Sequence, residues 1–194
     1  MKRRFFLALV VSSCSISHAN DYGIGVSLRS NQVYMPININ KSFRVEPSIL
    51  LGIHNSSEDS GNRTSRDRKS ATFKVGFFRL YSYRENIFYY AGSKLGIGRT
   101  KSITNSKYSW DNGRTEYNGT DFILEPAFGF EYFFNEEISL IGEASLQFTR
   151  EFGRSHGEKY AYDDNDNPYR IKGFSNDYET NIYSQTDISI RMYF

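Results

Sequence analysis

Ten charged residues fall on one phase of a two-residue alternation: Arg29, Arg44, Glu46, Lys74, Lys94, Glu125, Glu131, Glu143, Asp187 and Arg191. Five are basic and five acidic, which suits mutual ion pairing. Paired charges can occupy a closed interior, whereas an unpaired buried charge costs several kcal/mol. Other chemistry has thin support. After residue 19 the only histidines are His54 and His156. His54 stands two residues before Ser56, a base and a hydroxyl with no acidic partner to assign. His156, between Ser155 and Gly157, reads as a solvated residue. Asp163, Asp164, Asn165, Asp166 and Asn167 offer alternating oxygen ligands for calcium. Pro168 stands where a helix–loop–helix calcium loop needs Gly, and Phe174 where it needs Glu, so that motif fails. The sequence therefore assigns no catalytic residue, no metal site and no cofactor.

Those charges must be held by strands. Residues 22–29 place Tyr22, Ile24, Val26 and Leu28 on one face against Gly23, Gly25, Ser27 and Arg29 on the other. The same period of two runs through 33–39, 43–53, 72–77, 87–98, 122–132, 140–148 and a closing strand that ends at Phe194. In that last strand Ile188, Ile190, Met192 and Phe194 are apolar, and Asp187, Ser189 and Arg191 are polar. The strand at 33–39 carries Pro36 and is the weakest. At Phe78 and Arg79 the alternation blurs, as a bulge would cause. Eight strands result. Their connections near 41, 84 and 136 are short turns, and those at 54–70, 101–120 and 151–180 are long, polar and read as exposed loops.

Composition excludes several classes. The chain has 194 residues, enough for one domain. Its mean hydropathy is −0.57 and it has no run of eighteen apolar residues, so no helix is expected to span a membrane. Met1 to Ala19 reads as a signal peptide: Lys2, Arg3 and Arg4, then a short apolar run from Phe5 to Val11, then Ser17-His18-Ala19 before Asn20. A rival reading takes Val11 to Cys14 as a lipobox with Cys14 lipidated. With cleavage after Ala19 the mature chain, 20–194, has no cysteine, which excludes disulfides and thiolate chemistry. Without the three leader cations the count is 21 basic against 22 acidic residues, or −1. No basic excess is left to bind a nucleic-acid backbone.

Aromatic residues are banded. Tyr22, Phe43, Tyr81, Tyr83, Tyr89, Tyr132, Phe134 and Phe194 lie beside short turns or the chain ends, and Phe73, Phe122 and Phe148 lie beside the long connections. Two bands at fixed heights fit the two interfaces of a bilayer. In a soluble eight-stranded barrel the apolar face would line the cavity instead. Here the polar face is rich in Gly, Ser and balanced charge, which suits a narrow interior filled by side chains.

Taken with the terminal Phe194, these features resemble the small outer-membrane β-barrel proteins: OmpX-like, opacity-protein-like and OmpA-transmembrane-domain-like. The resemblance implies an all-β fold, an eight-stranded antiparallel up-and-down transmembrane β-barrel with short periplasmic turns and long extracellular loops. It implies an outer-membrane location and contact with outer-membrane lipids and lipopolysaccharide. It also implies handling by periplasmic chaperones and the barrel-assembly machinery, with Ile188, Ile190, Met192 and Phe194 as the insertion signal. The expected role is structural or adhesion-type, with a host or surface ligand met by Tyr-rich loops and the interior plugged by paired charges. Three alternatives stay open: a narrow porin-like channel, a lipid-modifying enzyme and a soluble ligand-binding barrel. For the enzyme, His54-Asn55-Ser56 resembles the His-x-Ser pair of the outer-membrane lipid A deacylases, without the surrounding motif.

Overall fold

The computed structural model of the chain describes residues 22–59, 63–107, 112–162 and 168–194. The proposed leader, Cys14, Tyr108, Trp110 and the 163–167 acidic run lie outside them. Nine strands follow one another: β1 (Gly23–Ser27), β2 (Gln32–Tyr34), β3 (Ile37–Asn40), β4 (Phe43–Asp59), β5 (Arg63–Arg84), β6 (Ile87–Lys107), β7 (Asn112–Phe133), β8 (Ile138–Tyr162) and β9 (Pro168–Tyr193). All pair antiparallel, each with its sequence neighbour from β4 onwards. The ring closes where β1 pairs with β9, from Gly23 opposite Tyr193 to Ser27 opposite Ser189. The Phe194 amide donates to the Tyr22 carbonyl at 3.0 Å and carries the closure to the last residue.

Segments β2 and β3 are two halves of one stave, so the barrel is eight-stranded. Both pair with β4, and the ladder breaks between them at Met35 and Pro36. Pro36 has no N–H to give, and Pro47 of β4, which lies opposite Met35, has none either. The backbone still crosses the gap, because the Met35 amide donates to the Pro47 carbonyl at 2.9 Å.

The expected bulge at Phe78 and Arg79 is absent. Register runs unbroken along β5 and β6 until a shift between Ser82 and Arg84. Phe78 simply points inward, fully buried, and Arg79 outward, exposed. The blur arose because an aromatic ring took an interior position that the rest of the pattern gives to small or charged residues.

The long connections are strand for most of their length. Pairing between β4 and β5 continues to Asp59 opposite Arg63, between β6 and β7 to Lys107 opposite Asn112, and between β8 and β9 to Tyr162 opposite Pro168. Backbone pairing needs N–H and C=O groups, not apolar alternation. The alternation stops where burial stops, and Ser, Thr, Asn and Tyr carry the ladder on as tall polar hairpins.

The wall is uneven. The β1–β2 connection is low: the Leu28 amide reaches the Ile188 carbonyl at 2.9 Å, and the Leu51 amide reaches the Asn31 carbonyl at 3.4 Å. Above that level β4 to β9 form an open six-stranded sheet with β4 and β9 as its edges.

Side chains sort as the alternation requires. Ile24, Val26, Ile49, Leu51, Phe77, Leu95, Leu124, Phe128, Ile188 and Ile190 point outward and are exposed. The lower aromatic band is exposed too and makes tilted or edge-on pairs, Tyr22–Phe194 at 5.8 Å and Tyr132–Phe134 at 5.3 Å. In the upper band Phe73, Ile97 and Phe122 are direct cross-strand partners. Phe152 joins them, 5.9 Å from Phe122, while Phe148 lies one step lower. Among the described residues no helix is long and apolar enough to cross a membrane.

Candidate functional site: a stack of ion pairs in the lumen

The inward positions of β4, β7 and β9 meet near the short-turn end and build a lower layer. Arg44 Nη2 lies 2.8 Å from Glu131 Oε2, and Arg191 Nη1 lies 3.2 Å from the same oxygen. The other arm of Arg191 bonds Glu46. Glu131, with no exposed surface, also accepts from the Ser139 hydroxyl at 2.6 Å and the Tyr193 hydroxyl at 2.7 Å. Arg44 Nε donates to Asn38 Oδ1 at 2.9 Å. The Arg191 guanidinium lies 4.9 Å over the Tyr34 ring and 5.8 Å over that of Tyr90. Two cations face two anions, so the layer is neutral.

A middle layer repeats the balance with lysines from β5 and β6. Lys74 Nζ bonds Glu125 Oε2 at 2.5 Å and Gln147 Oε1 at 2.9 Å. Lys94 bonds Glu143 and stands 3.6 Å from Glu125. Tyr90 donates to Glu143 Oε2 at 3.0 Å, and Ser145 to Glu125 Oε1 at 2.8 Å. Each carboxylate thus has a charged partner and a hydroxyl donor, which is what burying it demands.

Eight of the ten charges singled out by sequence meet in these two layers. Asp187 sits just above them and accepts from the Ser27 hydroxyl at 2.6 Å. Arg29 does not join the stack. It is exposed at the rim, where Nη1 donates to the Thr186 carbonyl at 3.0 Å and the Thr186 hydroxyl at 2.9 Å. Strand β1 ends at Ser27, so alternation no longer dictates where Arg29 points.

Several participants escaped the sequence reading. Tyr90, Tyr193, Ser139 and Gln147 complete the bonding, Tyr34 offers its ring to Arg191, and Phe78, Leu80, Tyr90, Ala127 and Ile141 form an apolar cluster inside the barrel. Parity was a usable signal: Tyr193 shares its face with Arg191, and Ile141 with Glu143. Glycines make the space. A Cβ on Gly129 would meet the Tyr90 hydroxyl at 2.5 Å and the Gly142 carbonyl at 2.6 Å.

Space between the layers is scarce. The cavity there, against Tyr34, Glu46, Tyr90, Lys94, Glu143 and Arg191, is about 10 Å³, no more than one water needs. Above the middle layer a cavity of about 270 Å³ opens beside Arg29, Lys94, Glu125, Glu143 and Asp187. Higher still, one of about 280 Å³ is lined by Arg66, Arg68, Tyr117, Glu151, Asp177 and Glu179. There the Tyr117 hydroxyl donates to Glu151, and burial together with that bond pushes it well above the ordinary phenol range. Burial, then the nearby Glu151 charge, raises the Asp121 carboxyl.

No protein-family model matches the chain, and no curated protein matches it. Among solved structures, the crystal structure of Acinetobacter baumannii CarO is similar, with 11% identity and a TM-score of 0.46 over 91% of this chain and 98% of that one. The crystal structure of Acinetobacter baumannii CarO2 covers the same shares at 11% identity, with a TM-score of 0.45. The site therefore stands on its own geometry.

The candidates for other chemistry do not assemble. His54 is exposed on β4 and makes no hydrogen bond or ion pair among the described residues. His156 packs against Phe174 at 4.6 Å and lies 3.7 Å from Glu158, far along the hairpin. Ile188, Ile190, Met192 and Phe194 stand exposed on the outer face of β9.

Proposed function

We propose that the chain is an integral outer-membrane barrel with a structural or surface-interaction role and no catalytic activity. The observation that carries this reading is the inversion of the usual burial pattern. Outward strand positions are Ile, Leu, Val and Phe, and inward positions are paired Arg, Lys and Glu. An exposed apolar belt that encircles the whole barrel is stable only against hydrocarbon. Phe122 to Tyr132 spans eleven residues, which at a strand tilt near 40° gives a belt about 25 Å tall, the height of an outer-membrane barrel's apolar zone. In this reading the short turns face the periplasm, and the tall hairpins, with exposed Tyr178 and Phe174, face the outside as the surface for a host or surface ligand.

The interior is proposed to be closed by the two neutral layers. Their pairing and the cavity of about 10 Å³ between them support that. A second reading, a narrow channel, draws on the two larger cavities above, which leave only the ion-pair layers between the open end and the short turns.

The test is membrane extraction followed by gel mobility with and without heating. The purified mature chain should need detergent to stay in solution and should shift mobility on boiling, as folded barrels do. Recovery as a detergent-free soluble protein would overturn the membrane reading.

A further inference from the structure

The two ion-pair layers join opposite charges directly. The cavity of about 280 Å³ above them holds its charges apart. Its cations, Arg66 and Arg68, both come from β5. Its acids come from the opposite wall, Glu151 from β8 and Asp177 and Glu179 from β9. Between the walls, β6 and β7 supply the hydroxyls of Thr100, Ser102 and Tyr117. Opposite charges thus face each other across a neutral floor.

Neither wall is satisfied by the other. Among the described residues Arg68 makes no hydrogen bond or ion pair, and Arg66 donates only from Nε to the Ser102 hydroxyl at 3.2 Å. On the acid side Asp121, Glu151 and Glu179 are successive direct partners across β7, β8 and β9, where like charges repel. Glu151 accepts from Tyr117, and Asp177 accepts from Ser155 at 2.7 Å and Ser175 at 3.0 Å. Glu179 has no such partner among the described residues, and Asp121 Oδ1 is buried without a hydrogen bond. Tyr117 can reach Glu151 because two glycines leave room. A Cβ on Gly119 would meet the Tyr117 hydroxyl at 2.6 Å and Glu151 Oε1 at 2.9 Å, and one on Gly153 would also strike the Tyr117 ring.

The spacing sets the size of what fits. Arg68 and Glu151 stand three strands apart, about 14 Å across the sheet, and four residues apart along it, again about 14 Å. Once both side chains reach inward, a gap of roughly 7–10 Å remains, the span of two or three extended residues.

We propose that this cavity binds a short peptide of two or three residues with both ends free, its amine at Glu151 and Glu179 and its carboxylate at Arg66 and Arg68. A ligand of one sign matches one wall only: a diamine would set a cation beside the arginines, and a dicarboxylate would set an anion beside the acids. A peptide also brings N–H and C=O groups to the hydroxyl floor, as a small polar site requires. The inference goes beyond the membrane reading and does not depend on it.

The experiment is calorimetric titration of the refolded mature chain in detergent. The probes are trialanine, trialanine amide, N-acetyl-trialanine and 1,4-diaminobutane. Trialanine should bind, and each of the other three should bind at least about tenfold more weakly, as the loss of a charge-assisted contact predicts. Arg68→Gln should weaken trialanine about tenfold and leave the amide unchanged, because the amide never used that arginine. Glu179→Gln should weaken trialanine and the amide alike and leave the N-acetyl form unchanged. Both positions are exposed and lie above the belt, so each variant should keep its heat-dependent gel shift. No binding of trialanine by wild type overturns the proposal. So does equal binding of the amide or the N-acetyl form, which would mean a site for one charge only, and so does tighter binding of the diamine. If either variant fails to fold, the blocked peptides on wild type still decide the matter. The gel shift reports the barrel separately, so failure of the peptide site leaves the membrane reading standing.

Discussion

Glu131 is the most committed side chain in the molecule. It has no exposed surface and holds two guanidinium groups, a serine and a tyrosine. Replacing it by Gln keeps the shape and removes the charge, so Arg44 and Arg191 would share Glu46 alone. The expected loss is about 3–5 kcal/mol, the cost of leaving a buried charge unmatched. It is measured as a fall in the urea concentration at which the refolded barrel loses its gel shift. A loss within experimental error would mean that water reaches these arginines. Asp121, just above the belt, works in the other direction. Burial and Glu151 raise its carboxyl, so the folded chain holds a proton there more readily than the unfolded chain does. Its contribution is therefore best at acid pH and falls as pH rises from the ordinary carboxylate range through the raised value. Asp121→Asn should leave stability unchanged in acid and unchanged or higher at neutral pH. Unfolding midpoints at the two pH values check this, and a variant weaker only at neutral pH would refute it.

Strands here have two jobs at different heights. Below, each stave has two partners, and the ring leaves no free edge. Above the β1–β2 connection, β4 and β9 keep one partner each, and the sheet carries polar side chains on both faces. The belt and its closure do not need the upper part. Replacing 155–175 by a two-residue turn should keep the register, since Arg154 and Asn176 are already partners. The shortened chain should fold and show the same heat-dependent shift. Failure to refold would mean that the β8–β9 hairpin starts the barrel, not that it merely decorates it. Free edges are also where further strands add. Arg29 covers one such site by bonding the Thr186 carbonyl of β9.

At the scale of the whole molecule the question is whether anything passes through. On the closed reading proposed above, in which the two neutral layers fill the lumen, wild type is expected to be electrically silent in planar bilayers. Arg44→Ala or Glu143→Ala removes one member of a layer and should open discrete conductance steps. Steady conduction by wild type would favour the channel reading over the closed one. Conductance is a better probe here than stability, since a variant could fold well and still leak.

Strand number, the two faces and the contrast between short and tall ends were legible in the sequence, because a period of two and turn chemistry are local properties. Ile188, Ile190, Met192 and Phe194 announced one shared apolar face without any help from the rest of the chain, while its outward direction was read from the Gly, Ser and balanced charge of the opposite face. Extent was not legible: the tall hairpins pair through their backbones, and backbone pairing leaves no apolar trace in Ser- and Asn-rich segments. Nor was partnership. Arg191 meets Glu46 across 145 residues and Glu131 across 60, while Arg29, with the same charge and phase, stays at the rim. Which charges meet depends on the stagger between staves as the sheet closes, and that stagger belongs to the ring as a whole and to no single strand.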